Sequence, residues 1–123
     1  MKSSLVRALF ITAALVLAIG AIMHASAFQK IQEALSISNL SPFPAESLKV
    51  LWLADSATCL SVAAFFGSLA VDSASANHFA ALVVALIPAA TAVLLYIFIG
   101  SFIGGHLLLA ATLSAIVGTV LKS

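Results

Sequence analysis

Four stretches of this chain, at about residues 5–25, 48–71, 79–99 and 102–121, are each long and apolar enough to cross a lipid bilayer as a helix. A spanning helix needs about 20 largely apolar residues, at a rise of about 1.5 Å each. The stretches occupy most of the 123 residues, so the expectation is a single domain, 1–123, without a soluble module. Charge agrees: five Lys/Arg and four Asp/Glu are too few to clothe a water-exposed surface, and the mean hydropathy is +1.25. A net charge of +1 with no basic run excludes phosphate neutralisation, and with it a nucleic-acid partner. The lone Cys59 excludes an intramolecular disulfide and a Cys-x-x-Cys redox pair.

The three connectors set the topology. Residues 72–78 form a short polar turn, Gly100 and Ser101 a tighter one, and only residues 26–47 make a substantial loop. Short connectors make consecutive spans antiparallel. The predicted fold is therefore an all-α integral membrane protein, an up-down-up-down four-helix transmembrane bundle. Within the long loop, Phe28, Ile31 and Leu35 recur at helical spacing among Gln29, Lys30, Gln32 and Glu33. This predicts a short amphipathic helix, either lying in the membrane interface or capping the bundle. Ser41, Pro42, Phe43 and Pro44 are read as its end, because proline cannot continue a helical ladder. Glu46 and Ser47 then suit the first turn of the second span, and Trp52 an interfacial aromatic belt.

The start of the chain also has the features of a secretory signal: Lys2 and Arg7, an apolar run from Ala8 to Met23, then Ala25, Ser26 and Ala27. The run is longer than a typical signal core, and an uncleaved first span is the expectation. Lys2, Arg7 and Lys122 flank one side of the spans, Lys30 and Lys49 the other. The positive-inside rule then puts both termini in the cytoplasm, with a bacterial inner membrane as the default host and the 26–47 loop facing outward.

In lipid, helices associate by close contact and hydrogen bonds, so small residues mark packed faces. The expected stripes are Ala14, Ala18 and Ala21 in the first span, and Cys59, Ala63 and Gly67 in the second. In the third they are Ala81, Ala85, Ala89 and Ala92, and in the fourth Ala110, Ser114 and Gly118. His24, Asp55, Tyr96 and His106 each fall on the stripe of their own span, and all at one end. The reading is one outer-side polar cluster within the bundle, with Thr58 and Cys59 as its floor. Asp55 weighs most, because a carboxylate at membrane depth must be paired, protonated or wet. The cluster is either polar glue or a binding site. His24, His106 and Asp55 would be the ligands of a metal ion, and the two histidines the axial pair of a haem. Pro88 is expected to kink the third span, with Thr91 meeting the freed backbone groups. Asp72 and His78 read as solvated turn residues at the opposite end.

The function these residues suggest is non-enzymatic. The chain would be an accessory subunit of a larger membrane protein complex, or a homo-oligomer. Equally it would bind a lipid-like molecule such as a lipid, quinone or isoprenoid in the outer pocket. The alternative is a redox, haem or metal-binding protein, or a small membrane enzyme using His24, Asp55 and His106. Proton-coupled transport fits poorly, because the polar groups gather at one end and leave the other half dry.

Overall fold

A computed structural model describes residues 2–72 and 77–122, which fold into five helices in the order α1 (Lys2–Ser26), α2 (Phe28–Ser36), α3 (Pro42–Val71), α4 (His78–Phe98) and α5 (Ile103–Lys122). All but α2 are long and apolar enough to cross a membrane. The middle of the expected polar turn, residues 73–76, lies outside the described residues. The protein is thus an all-α four-helix bundle of candidate membrane spans, with α2 between the first two. We call the end where α1 and α4 finish, and α3 and α5 begin, the upper end.

The bundle is built around α1. It packs on both α3 and α5, and α4 packs on α5, whereas α3 and α4 meet over a much shorter stretch. Burial along α1 recurs at Val6, Phe10, Ala13, Leu17 and Ala21, the three-and-four spacing of one helix face. Phe10 of α1 and Phe66 of α3 are both fully buried, with near-parallel rings 6.2 Å apart and tilted by 11°. Phe65 meets Phe66 edge-on at 5.4 Å. Ala85 of α4 and Ala111 and Ala115 of α5 complete a core whose small members let the backbones approach. In this low-dielectric setting the hydroxyls are satisfied locally. Thr58, Ser61, Thr91, Thr112, Ser114 and Thr119 each donate to the carbonyl four residues earlier in their own helix.

Several expectations are corrected by the packing. The prolines at 42 and 44 do not close α2, which ends at Ser36; they open α3, six residues before the predicted span. A proline in the first helical turn lacks only an N–H that would have no partner there anyway. Glu46 consequently sits beyond the first turn of α3 and pairs with Lys49 at 2.7 Å. At 30 residues α3 is about 45 Å long, well beyond the ~30 Å hydrocarbon thickness. On α5 the packed face is Gly105, Ala111, Thr112, Ala115, Gly118 and Thr119, while Ala110 is exposed and Ser114 half-exposed. Of the predicted α5 stripe only Gly118 is in the core. Cys59 is half-buried rather than fully packed. Pro88 is buried on α4, but Thr91 serves the Ile87 carbonyl, not the Val84 carbonyl that a proline at 88 leaves without its usual donor.

Turn chemistry sets the remaining ends. The Asn77 side chain accepts from the Phe79 and Ala80 N–H groups at 2.9 and 3.4 Å and starts α4. Gly100, at φ +88°, ends it in the left-handed conformation that glycine adopts without steric cost. His78 and Asp72 are exposed at the lower end, as expected.

Gly118 tests the α1–α5 contact. A Cβ there would lie 3.3 Å from both Leu9 Cβ and the Phe10 ring, whereas one at Gly20 would meet nothing within 4 Å. Gly118→Leu should therefore destabilise the bundle by about 1–3 kcal/mol by overpacking. Gly20→Ala should be neutral or slightly stabilising. Thermal unfolding of both variants in detergent reads the difference.

Candidate functional site

His24, Asp55, Tyr96 and His106 lie toward the upper end, where they form two joints between pairs of helices. In the first, α1 meets α3. The His24 imidazole lies flat on the Trp52 indole, with centroids 3.9 Å apart and planes 14° apart. Trp52 Nε1 donates to the His24 backbone carbonyl at 2.8 Å. Asp55 Oδ2 stands 3.6 Å from His24 Nε2, too far for a hydrogen bond and close enough for an ion pair when the imidazole is protonated. Nε2 itself is buried without a hydrogen-bond partner, although the His24 side chain as a whole is 32% exposed and Asp55 41%. Trp52 and Asp55 are three apart on α3, so one helix face presents both to α1. Asp55 lies about 24 Å along α3 from Val71, within one or two turns of the upper hydrocarbon edge if Val71 marks the lower one.

In the second joint, α4 meets α5. Tyr96 Oη is 2.6 Å from His106 Nδ1, and Ser101 Oγ is 3.2 Å from His106 Nε2. With its proton on Nε2, a neutral His106 accepts from Tyr96 and donates to Ser101; the other tautomer reverses both roles. The Tyr96 ring reaches over Gly105, where a Cβ would come within 3.4 Å of it. Gly105 therefore admits the tyrosine, and Gly100 and Ser101 form the turn that brings His106 back beneath the end of α4.

The expected single cluster is thus two paired sets, His24 with Asp55 and Tyr96 with His106. Among the described residues no three His, Cys, Asp or Glu side chains come together, so the expected ligand set of His24, His106 and Asp55 is not assembled. Both ring nitrogens of His106 are engaged by protein hydroxyls, which leaves neither for an axial bond to haem iron. Thr58 does not floor the cluster. It is exposed, bonded to its own Ala54 carbonyl at 2.8 Å, and lines an open groove elsewhere. Cys59, one turn below Asp55, is a half-buried free thiol.

Two partners were not anticipated from sequence. Trp52, taken for a belt residue, is the element that holds His24, and Ser101, taken for a turn residue, is a His106 ligand. The signal for Trp52 was its three-residue offset from Asp55; Ser101 carried none. Away from these joints, the α3–α4 divergence opens a groove of about 380 Å³ lined by Ala57, Thr58, Ser61, Val62, Phe65, Val84 and Ile87. A smaller one of about 230 Å³ lies between α1 and α3, beside Arg7 and Gly67.

Comparison of the chain with protein-family models, curated proteins and solved structures gives no match.

The α4–α5 joint makes a clear energetic prediction. Tyr96→Phe keeps the ring over Gly105 and removes one hydrogen bond, so stability should fall by about 0.5–1.5 kcal/mol. Thr58→Val, which loses only a bond within its own helix, should cost less. Equilibrium unfolding in mixed micelles orders the two.

Proposed function

We propose that this is a small, non-enzymatic accessory subunit that docks a transmembrane helix of a larger membrane complex along α3. The supporting observation is the character of the α3 surface turned away from the core. Ala54, Ala57, Thr58, Ser61, Ala64 and Ser68 are all exposed there, over about four turns. Elsewhere the exposed girdle carries bulky aliphatic side chains, such as Leu15 and Ile19 on α1 and Leu86 and Ile97 on α4. Bulky aliphatic groups suit acyl chains, whereas small and hydroxylated groups allow a second helix to approach closely. The groove between α3 and α4 runs beside this row and gives such a helix a concave seat.

A second reading, a hydrophobic ligand with a polar head at the upper end, is favoured by the unpartnered His24 Nε2 beside Asp55. A lipid, quinone or isoprenoid has that chemistry. In both readings the Lys and Arg distribution orients the protein with both termini cytoplasmic and the upper end outward, as in a bacterial inner membrane.

Native mass spectrometry of the protein released gently from its own membrane separates the readings. For the accessory role, the wild type should carry a second protein chain. That chain should be lost in the Ala57→Leu, Ser61→Leu double variant, whose own melting temperature stays unchanged because both positions are exposed. A wild-type chain released bare defeats the docking reading. A small adduct that disappears in Asp55→Asn establishes the ligand reading instead.

A further inference from the structure

The lower end of the bundle holds a cation for which the chain supplies no anion. Arg7 is exposed on α1, about 7.5 Å above the start of that helix. It lines the groove between α1 and α3 together with Val71, the last residue of α3. Charged residues follow the apolar runs at this end, Asp72 after α3 and Lys122 at the close of α5. Arg7 therefore lies at the lower edge of the hydrocarbon. Of the acids in the chain, Glu33, Glu46 and Asp55 belong to the upper half and only Asp72 to this end. Among the described residues Arg7 makes no ion pair with Asp72 or with any other acid. A guanidinium keeps its proton at every accessible pH, so at this depth it must reach water or an anion. The groove beside it, of about 230 Å³, is otherwise apolar. Arg7, Ile11 and Leu15 are four apart and share one side of α1, so the groove runs from the cation toward the bilayer centre. Ile11, Leu15 and Val71 are exposed along it. Ala14 and Gly67 are its small members, and a Cβ at Gly67 would lie 3.9 Å from that of Ala14, an ordinary contact.

We propose that the α1–α3 groove binds one anionic phospholipid, with Arg7 clasping the headgroup phosphate and an acyl chain lying along Ile11 and Leu15 over Ala14 and Gly67. A cation at the membrane edge that heads a narrow apolar channel has the layout of a lipid, phosphate first and chain below. The planar guanidinium can meet a phosphate with two parallel hydrogen bonds, which a lysine does not offer. Lys2, Arg7 and Lys122 stand at this end against Asp72 alone. A lipid whose phosphate is not balanced by an ammonium of its own is therefore favoured. The site lies at the opposite end from the His24–Asp55 pair and on the α1 side of α3, so it stands independently of the docking and ligand readings above.

Native mass spectrometry of the full chain in detergent micelles tests this, with phosphatidylglycerol or phosphatidylcholine of the same acyl chains as the titrant. The wild type should retain one phosphatidylglycerol in preference to phosphatidylcholine. Arg7→Gln, at an exposed position outside the core, should weaken that retention about ten-fold, the loss expected for hydrogen bonds to a charged group. Arg7→Lys, which keeps the charge without the fork, should fall between the two. Lys122→Gln removes one charge from the same end and should leave retention unchanged. Gly67→Leu fills the groove, keeps the cation and should weaken retention as well. In Asp55→Asn the lipid should persist, which separates this site from the upper end. Undiminished retention in Arg7→Gln, or in a folded Gly67→Leu variant, overturns the proposal. Equal losses in Arg7→Gln and Lys122→Gln also overturn it, because they report surface charge and not a site. So does equal retention of the two lipids, and so does displacement of phosphatidylglycerol by millimolar inorganic phosphate, which would make the ligand a free anion.

Discussion

Hydrocarbon gives helices no solvent-driven reason to associate, so this bundle depends on how closely its backbones approach. Everything else follows from where a small residue lets a large one in. Phe10 lies against Gly118 and stacks on Phe66, and this contact in the lower half of α1 joins three helices. The same device recurs at the upper end, where Gly105 makes room for Tyr96. α1 takes both α3 and α5 as neighbours, whereas α4 packs mainly on α5 and meets α3 over a short stretch, so the α3–α4 seam is the loosest in the bundle. The groove between α3 and α4 is the consequence of that order.

Polar groups obey a second constraint, since each must find a partner inside the protein or reach the interface. Thr58, Ser61, Thr91, Thr112, Ser114 and Thr119 do so within their own helices. The larger groups do it across helix pairs, His106 with Tyr96 and Ser101, His24 with Trp52 and Asp55. The two joints differ in completeness. His106 has both nitrogens engaged and serves as glue between α4 and α5. His24 has a stacked face and an occupied carbonyl, yet its Nε2 is left without a partner 3.6 Å from a carboxylate. An incomplete polar pair near the membrane surface is where binding chemistry can enter, and the lightly held α2 packs at that same end.

The α3 helix connects these features. Starting at Pro42 makes it longer than the hydrocarbon is thick, so its first turns have room to seat α2 above the membrane core. Lower down, its core-facing side carries Trp52, Asp55 and Phe66, while its opposite side is the row from Ala54 to Ser68. One helix therefore carries the polar joint, the contact with α2 and the small-residue face.

The sequence by itself determined the membrane class, the four spans, their alternation and the existence of an amphipathic α2. Each follows from composition, length and periodicity, which are local properties of the chain. It also located the end at which His24, Asp55, Tyr96 and His106 gather, because depth along a helix is simple arithmetic. Which of them pair was decided by tertiary structure, since pairing depends on neighbour order around the bundle, and the sequence contains no term for that. The same holds for the rotation of α5. Both of its faces are rich in small residues, so the pattern allowed either, and the insertion of Phe10 at Gly118 and Tyr96 at Gly105 chose one. The start of α3 was misjudged because proline both stops and opens helices, and only the path of the chain around Ser41 decides which.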